Sequence, residues 1–204
     1  MPALNVAIIV FNGVETLDFC GPLEVFSAAN IASEQQFFNV YTFAADTSPI
    51  TTINGLSVNP RFGFEDLPDP DILVIPGGEG SRSVITNPNV LRFVELLYHK
   101  SQYTFSVCSG ARILAVLGLL DGKKFTTHHS VFDDVQMLAP KAFVRPNNRF
   151  TDNGKILTSA GVAAGIDLSF YLLEKIKGKE IAQLTARYME YPLAQSNISD
   201  YKDQ

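Results

Sequence analysis

The sequence predicts an α/β fold in which a mostly parallel sheet carries helices on both faces and added hairpins. Short apolar runs, typical of buried parallel strands, occur at residues 5–11, 71–76 and 103–108. Segments with helical spacing lie between them, at residues 22–29 and 87–100. Because strand and helix alternate along the chain, we expect βαβ units with right-handed crossovers.

Further elements follow in order from local signals. In the segment 87–100, apolar residues recur every three to four positions and predict one buried helix face, formed by Val90, Leu91, Val94 and Leu97. Asn-Gly pairs at 54–55 and 153–154 stand between strand-like runs, so we expect two hairpins with added antiparallel strands. Two closing helices are predicted on either side of Gly178.

Composition indicates one folded, soluble domain over residues 1–193, followed by a polar tail over residues 194–204. The chain has 204 residues, of which 46% are hydrophobic and 18% charged. Its net charge is −5 and it has no basic cluster, which argues against a nucleic-acid partner. The N-terminus has no basic leader, and no apolar run approaches the roughly 20 residues needed to span a bilayer. We expect a cytoplasmic protein without membrane association.

Cys108 is the first candidate for chemistry. It ends an apolar strand, and Ser109 and Gly110 lead into a helical run, so the thiol is expected at a tight strand-to-helix elbow. Unsatisfied N–H groups at a helix start favour the thiolate and would lower the thiol pKa. The alternative is a buried cysteine that only fills space. The other cysteine, Cys20, is not expected in a disulfide with Cys108 in a reducing compartment.

Candidate partners of the thiol lie in other strand-to-helix turns. Glu15 and Asp18 follow the first strand, either as acid/base groups or as helix caps and solvated charges. The amides of Gly77 and Gly78 are candidates for binding developing negative charge. The small residues at 158–165, which include Val162, allow close helix packing against the site or only against the sheet.

The histidines are weaker candidates. His99 is expected at the C-terminal end of a helix, far from the strand tops. His128 and His129 follow a short strand and either lie near the thiol or only shape the loop. Because no further ligands stand at metal-binding spacing, we predict no metal site.

Four segments together resemble the ThiJ/PfpI superfamily, and within it the isocyanide hydratase branch: "LDFCGPLEVF", "DILVIPGG", "SVCSGARILAVLGLLDGKKFTTHH" and "GKILTSAGVAAGIDLSFYLL". The resemblance runs through nearly the whole chain, to about residue 191. It implies a flavodoxin-like three-layer sandwich of the class I glutamine amidotransferase-like type, and a homodimer without a cofactor. It also implies that Cys108 is the nucleophile.

The resemblance assigns further residues. Asp18 matches the aspartate that the hydratases use, and Ser109 stands where they usually have threonine, which keeps the hydroxyl. Apart from the resemblance, Gly77, Gly78 and Val162 are candidates for substrate and oxyanion binding. Cys20 stands where those enzymes often have threonine, so its role stays open. Related peptidases place a histidine directly after the cysteine, and its absence here argues against peptidase activity.

The expected activity is hydration of an isocyanide, a small molecule, to an N-substituted formamide through a covalent thioimidate. A glyoxalase-like thiol activity is a second hypothesis, which Glu15 keeps open. The third is a non-enzymatic sensor or redox module, because the segments also resemble the sensor half of AraC-type regulators. Those regulators carry a helix-turn-helix region after this domain, and we expect none here, so such a regulator would be truncated or stand-alone.

Overall fold

A six-stranded sheet forms the centre of the computed structural model, which describes residues 2–193. The predicted tail at 194–204 lies outside the described residues. Neighbouring strands follow the order β2-β1-β5-β6-β10-β9. Their bounds are Leu4–Ile9 (β1), Phe38–Phe43 (β2), Ile72–Ile75 (β5), Tyr103–Ser106 (β6), Phe150–Asp152 (β9) and Ile156–Ser159 (β10). Four of the neighbour pairs are parallel and only β9 with β10 is antiparallel, so the predicted, mostly parallel sheet is confirmed.

Helices cover both faces of this sheet. Alternate residues of β1 point into two separate apolar cores: Val6 and Ile8 into one, Ala7 and Ile9 into the other. This period of two, buried on both sides, is the reason that the strand is continuously apolar. The helices are Thr16–Ser33 (α1), Ser81–Val84 (α2), Pro88–Lys100 (α3), Ala111–Val116 (α4), Phe132–Leu138 (α5), Ala164–Lys177 (α6) and Lys179–Tyr188 (α7). Helices α1, α6 and α7 pack together over the first core.

Two small sheets complete the structure. The hairpin predicted at the first Asn-Gly pair is confirmed as β3 (Ile50–Thr51) and β4 (Ser57–Val58). The short strand before His128 is β7 (Lys124–Phe125), which pairs in parallel with β8 (Phe143–Val144). The two closing helices are confirmed on either side of Gly178. Within residues 2–193, no helix is both long and apolar enough to cross a membrane.

Two expectations about elements are corrected, and one strand was missed. The first helix begins at Thr16 rather than at residue 22, and Pro22 lies inside it. The reason is packing: the turn before Pro22 is buried, with Asp18 and Phe19 facing the protein interior. At the second Asn-Gly pair, only β9 is an added antiparallel strand, because β10 is an internal strand that also pairs in parallel with β6. Strand β2 was not predicted.

Candidate active site

Cys108 lies at a sharp elbow beyond the carboxyl end of β6. It opens a short 3-10 turn, residues 108–110, that leads into α4. Its φ of +57° is in the left-handed region, which is uncommon and costly for a residue other than glycine. Two hydrogen bonds hold this conformation: the Cys108 N–H donates to the Ala160 carbonyl at 3.2 Å, and the Thr127 hydroxyl donates to the Cys108 carbonyl at 2.6 Å.

Gly110 lets this elbow sit directly on the end of β5. A Cβ added there would collide with the Ile75 carbonyl and lie 2.8 Å from the Pro76 carbonyl, both of them backbone atoms of the sheet. Close approach therefore explains the glycine predicted at this turn.

Substituting Gly110 with alanine is expected to lower the free energy of unfolding by about 1–3 kcal/mol, because the elbow must move off β5. Urea denaturation followed by circular dichroism measures this change. Gly63→Ala is the matched control, since a Cβ there meets its nearest atom at an ordinary 3.5 Å. Equal losses in the two variants would contradict the steric explanation.

Asp18 brings its carboxyl group to the thiol from the first turn of α1. The side chain is fully buried, and its Oδ2 accepts the Gly77 N–H at 2.9 Å. The carboxyl group interacts with the Cys108 thiol, but Oδ1 makes no hydrogen bond of good geometry to any described residue. Burial, with a contribution from the charge of Glu15, raises the pKa of Asp18 to about 7. Asp18 is therefore poised to give or take a proton near neutral pH.

The same burial acts on the thiol. Desolvation, followed by the negative charge of Asp18, raises the pKa of Cys108 to about 12. The amides of Ser109 and Val162 face the sulfur and act in the opposite direction, but they do not outweigh burial. The expectation that a helix start lowers this pKa is thus wrong, because the site is buried and its nearest ionisable partner is an acid.

Gly77 and Gly78 lie beside the elbow, but their amides are already engaged. The Gly77 N–H donates to Asp18, and the Gly78 N–H donates to the Ser109 Oγ at 2.9 Å. In this structure these two amides hold the side chains of Asp18 and Ser109 next to the nucleophile. The amides that face the Cys108 sulfur belong to Ser109 and Val162.

A cavity of about 270 Å³ opens over the thiol. The structure brings most of the predicted candidates to it: its lining includes Glu15, Gly78, Cys108, Ser109, His128 and Val162, together with Ile53, Glu79, Arg82, Arg112, Ser130 and Val131. Burial lowers the pKa of His128, which favours the neutral imidazole.

The other predicted candidates lie elsewhere. Cys20 is half-buried against the core formed with α1, and it is not among the residues that line the cavity. His99 lies in the last turn of α3, as predicted. Among the described residues, no group of three or more His, Cys, Asp or Glu side chains is placed to hold a metal ion.

Arg112 is the residue that sequence reasoning missed. Its side chain is 2% exposed, and its guanidinium donates to the Ser81 Oγ at 3.1 Å and to Asp134 at 2.6 Å. The available signal was its position as the lone charge in the apolar segment 103–120. A buried arginine requires partners, and here they are a serine at the start of α2 and an aspartate in α5.

A sequence model of the DJ-1/PfpI family matches residues 4–175, a range that holds the elbow, Asp18 and the loop at Gly77. The chain belongs to the DJ-1/PfpI family. Solved structures of this family share the fold: a ThiJ/PfpI family protein from Pseudomonas syringae superposes with a TM-score of 0.85 at 27% identity, covering 97% of this chain and 79% of that one. The flavodoxin-like α/β fold expected from the resemblance is therefore confirmed.

Curated DJ-1/PfpI relatives include an enzyme and a regulator. An isonitrile hydratase from Pseudomonas putida is 32% identical over 189 residues, which cover 93% of this chain and 79% of the hydratase. The HTH-type transcriptional regulator CdhR from Pseudomonas aeruginosa is 30% identical over 83% of this chain, which spans about half of the regulator's length. Isonitrile is another name for isocyanide.

Proposed function

We propose that this protein is a cysteine-dependent isocyanide hydratase, which converts an isocyanide and water to an N-substituted formamide. The observation that carries the proposal is the fully buried Asp18 carboxyl group against the Cys108 thiol at the elbow. Isocyanide hydration needs a nucleophile for carbon and one group that delivers and removes protons, and this pair supplies both. The related isonitrile hydratase supports the same assignment.

In the first step, the thiol proton passes to the Asp18 carboxylate while the sulfur attacks the terminal carbon of R–N≡C. Asp18 then delivers that proton to the same carbon, which gives the covalent thioimidate Cys–S–CH=N–R. The amides of Ser109 and Val162, which face the sulfur, stabilise negative charge at the nucleophile as the proton leaves.

In the second step, the Asp18 carboxylate removes a proton from a water molecule that attacks the thioimidate carbon. Asp18 passes that proton to the substrate nitrogen, which gives the tetrahedral adduct Cys–S–CH(OH)–NH–R. The C–S bond then breaks as Asp18 carries the hydroxyl proton of the adduct to the leaving sulfur, which releases R–NH–CHO and restores the thiol. The step consumes one water and needs no cofactor. Ser109, held by the Gly78 amide, places its hydroxyl beside the adduct.

The rate should follow the protonation of the Asp18–Cys108 pair. Because the pKa values are about 7 and about 12, the pair holds one proton between these limits, whichever group carries it. We expect kcat/KM to rise with pH, with a midpoint near 7, and to be about a hundredfold lower at pH 5 than at its plateau.

The direct test is to follow formamide formation from an aryl isocyanide by chromatography between pH 5 and 9, with buffer blanks for spontaneous hydrolysis. Intact mass spectrometry of rapidly quenched samples should find the mass of the substrate added to the protein. A well-folded protein that forms neither formamide nor adduct would refute the proposed hydratase activity and favour the sensor hypothesis.

The wider setting is part of this proposal. We infer one catalytic domain over residues 1–193, a homodimer, and action in the cytoplasm on a small-molecule substrate without nucleic acid. Light scattering of the purified protein measures the oligomeric state, and a monomeric mass would contradict the dimer.

A further inference from the structure

Glu15 is the charged side chain of the pocket that has no ion-pair partner among the described residues. Arg82 pairs with Glu79 at 2.8 Å and Arg112 with Asp134 at 2.6 Å. Asp134 also accepts from Arg82 at 3.1 Å. The positive charges of Arg82 and Arg112 are therefore neutralised by these acids. The charge of Glu15 remains, so the wall of the pocket carries a net negative charge.

The backbone fixes where this charge stands. Glu15 occupies the N-cap position of α1, and its N–H donates to the Gly77 carbonyl at 3.0 Å, on the same loop that holds Asp18. The side chain is half-buried and shares the pocket lining with Cys108. A carboxylate that is partly shielded from water acts more strongly on a neighbouring ligand than an exposed one.

The other titratable groups of the pocket do not cancel this charge. His128 favours its neutral form, because burial lowers its pKa. Asp18 adds negative charge when it ionises, and Glu15 is close enough to oppose that ionisation. At neutral pH a ligand beside Cys108 therefore meets a negative field.

We propose that Glu15 makes the pocket selective for substrates whose substituent carries a positive charge. In this reading, which rests on the proposed function, the isocyanide carbon meets Cys108 and an ammonium group meets Glu15. Substrates with a carboxylate substituent are repelled. The cavity of about 270 Å³ has room for a small substrate of this kind.

Charge selection is tested first without turnover, by thiosulfonate reagents that react with Cys108 to form a disulfide and release methanesulfinate. The reagents are the cationic trimethylammonioethyl and the anionic sulfonatoethyl methanethiosulfonates, and the background is Cys20→Ala. After division by their rates with 2-mercaptoethanol, we expect the cation to react about five- to tenfold faster. Glu15→Gln should remove most of this preference, and only the contribution of ionised Asp18 should remain.

The second measurement uses small isocyanides of different charge: (2-isocyanoethyl)trimethylammonium, methyl isocyanoacetate and isocyanoacetate. We expect KM to be lowest for the cation and highest for the anion, and Glu15→Gln to remove most of the difference. Ratios between substrates are taken at pH 9, where Asp18 is ionised in the parent and in the variant, so that its charge contributes equally to both.

Glu24→Gln is the matched control. It removes the same charge from an exposed position on the same helix, nine residues further along, or about 13 Å. Equal reaction of both reagents in the parent protein, or an equal loss of preference in the Glu24 and Glu15 variants, would overturn the inference. A charge preference without isocyanide turnover would support charge selection by Glu15 and refute the proposed function. Isocyanide turnover without a charge preference would support the proposed function and refute charge selection by Glu15.

Discussion

Replacement of Cys108 by alanine is expected to lower isocyanide turnover by about four orders of magnitude or more, because no covalent thioimidate can form. Neither the Asp18 carboxyl group nor the amides at the elbow can replace a carbon–sulfur bond. Formamide formation at high enzyme concentration measures the residual rate. The adduct mass should disappear together with the activity.

The matched control is Cys20→Ala, which removes the other thiol. Cys20 lies outside the pocket lining, so this variant should keep its turnover within about twofold, as expected for a residue that does not touch the reacting atoms. Circular dichroism of both variants confirms that they are folded. A Cys108→Ala protein that still turns over at a tenth of the parent rate would refute the covalent mechanism.

Replacement of Asp18 by asparagine is expected to remove activity and to stabilise the protein. Loss of a general acid and base that acts in both steps should lower kcat by about a thousandfold. Asparagine keeps an oxygen that can accept the Gly77 N–H, so the loop at the elbow retains its hydrogen bond. The variant therefore loses the group that transfers protons but keeps the hydrogen bond to Gly77.

The stability change follows from the pKa of Asp18. Burial raises this pKa from 3.8 to about 7, so between these pH values the folded protein holds a proton that the unfolded chain has released. The contribution of Asp18 to stability is therefore fully present below pH 4 and is lost as pH rises through 7. Complete loss corresponds to about 4 kcal/mol at pH 8.

Asparagine has no such charge to bury, so Asp18→Asn should be more stable than the parent by about 2–4 kcal/mol at pH 8 and nearly equal at pH 4. Urea denaturation at the two pH values measures the difference. Asp133→Asn, an exposed acid of α5, is the control and should change stability little at either pH. A gain of the same size at pH 4 and pH 8 would contradict burial of the charge as its cause.

Such a result would identify Asp18 as a residue kept at a cost to stability. A carboxylate without a full set of hydrogen bonds in a buried site is unfavourable for folding. Its conformation is maintained by the packing of α1, whose first turn lies under the loop at Gly77. The same argument applies to Cys108, whose left-handed backbone conformation is costly and places the sulfur in the pocket.

Much of the fold could be predicted because its signals are local. The apolar runs of β1, β5 and β6 have the period and composition of buried parallel strands, and Asn54 with Gly55 marks a real hairpin. The start of α1 could not be placed, because Pro22 is a strong local signal for a helix N-terminus. Burial of the preceding turn against the interior overrode that signal.

Some features of the candidate site could likewise be predicted from the sequence, and others could not. Its position at the top of the sheet follows from the order of strands and turns, since the carboxyl ends of neighbouring parallel strands meet at one edge. The partner of Arg112 could not be predicted, because Asp134 is 22 residues away along the chain. The hydrogen bond from the Gly77 N–H to Asp18 could not be predicted either, because the two residues are 59 positions apart along the chain.

The sequence by itself determined that this is an α/β protein with a thiol on a strand-to-helix elbow, because periodicity and turn chemistry depend on neighbouring residues. Only the tertiary structure decided the protonation of that thiol. The pKa of a group depends on water removed and charges brought near by distant segments, and here both act against the thiolate and against the Asp18 carboxylate. Folding thus turns a reactive cysteine suggested by local sequence into a buried pair that shares one proton near neutral pH.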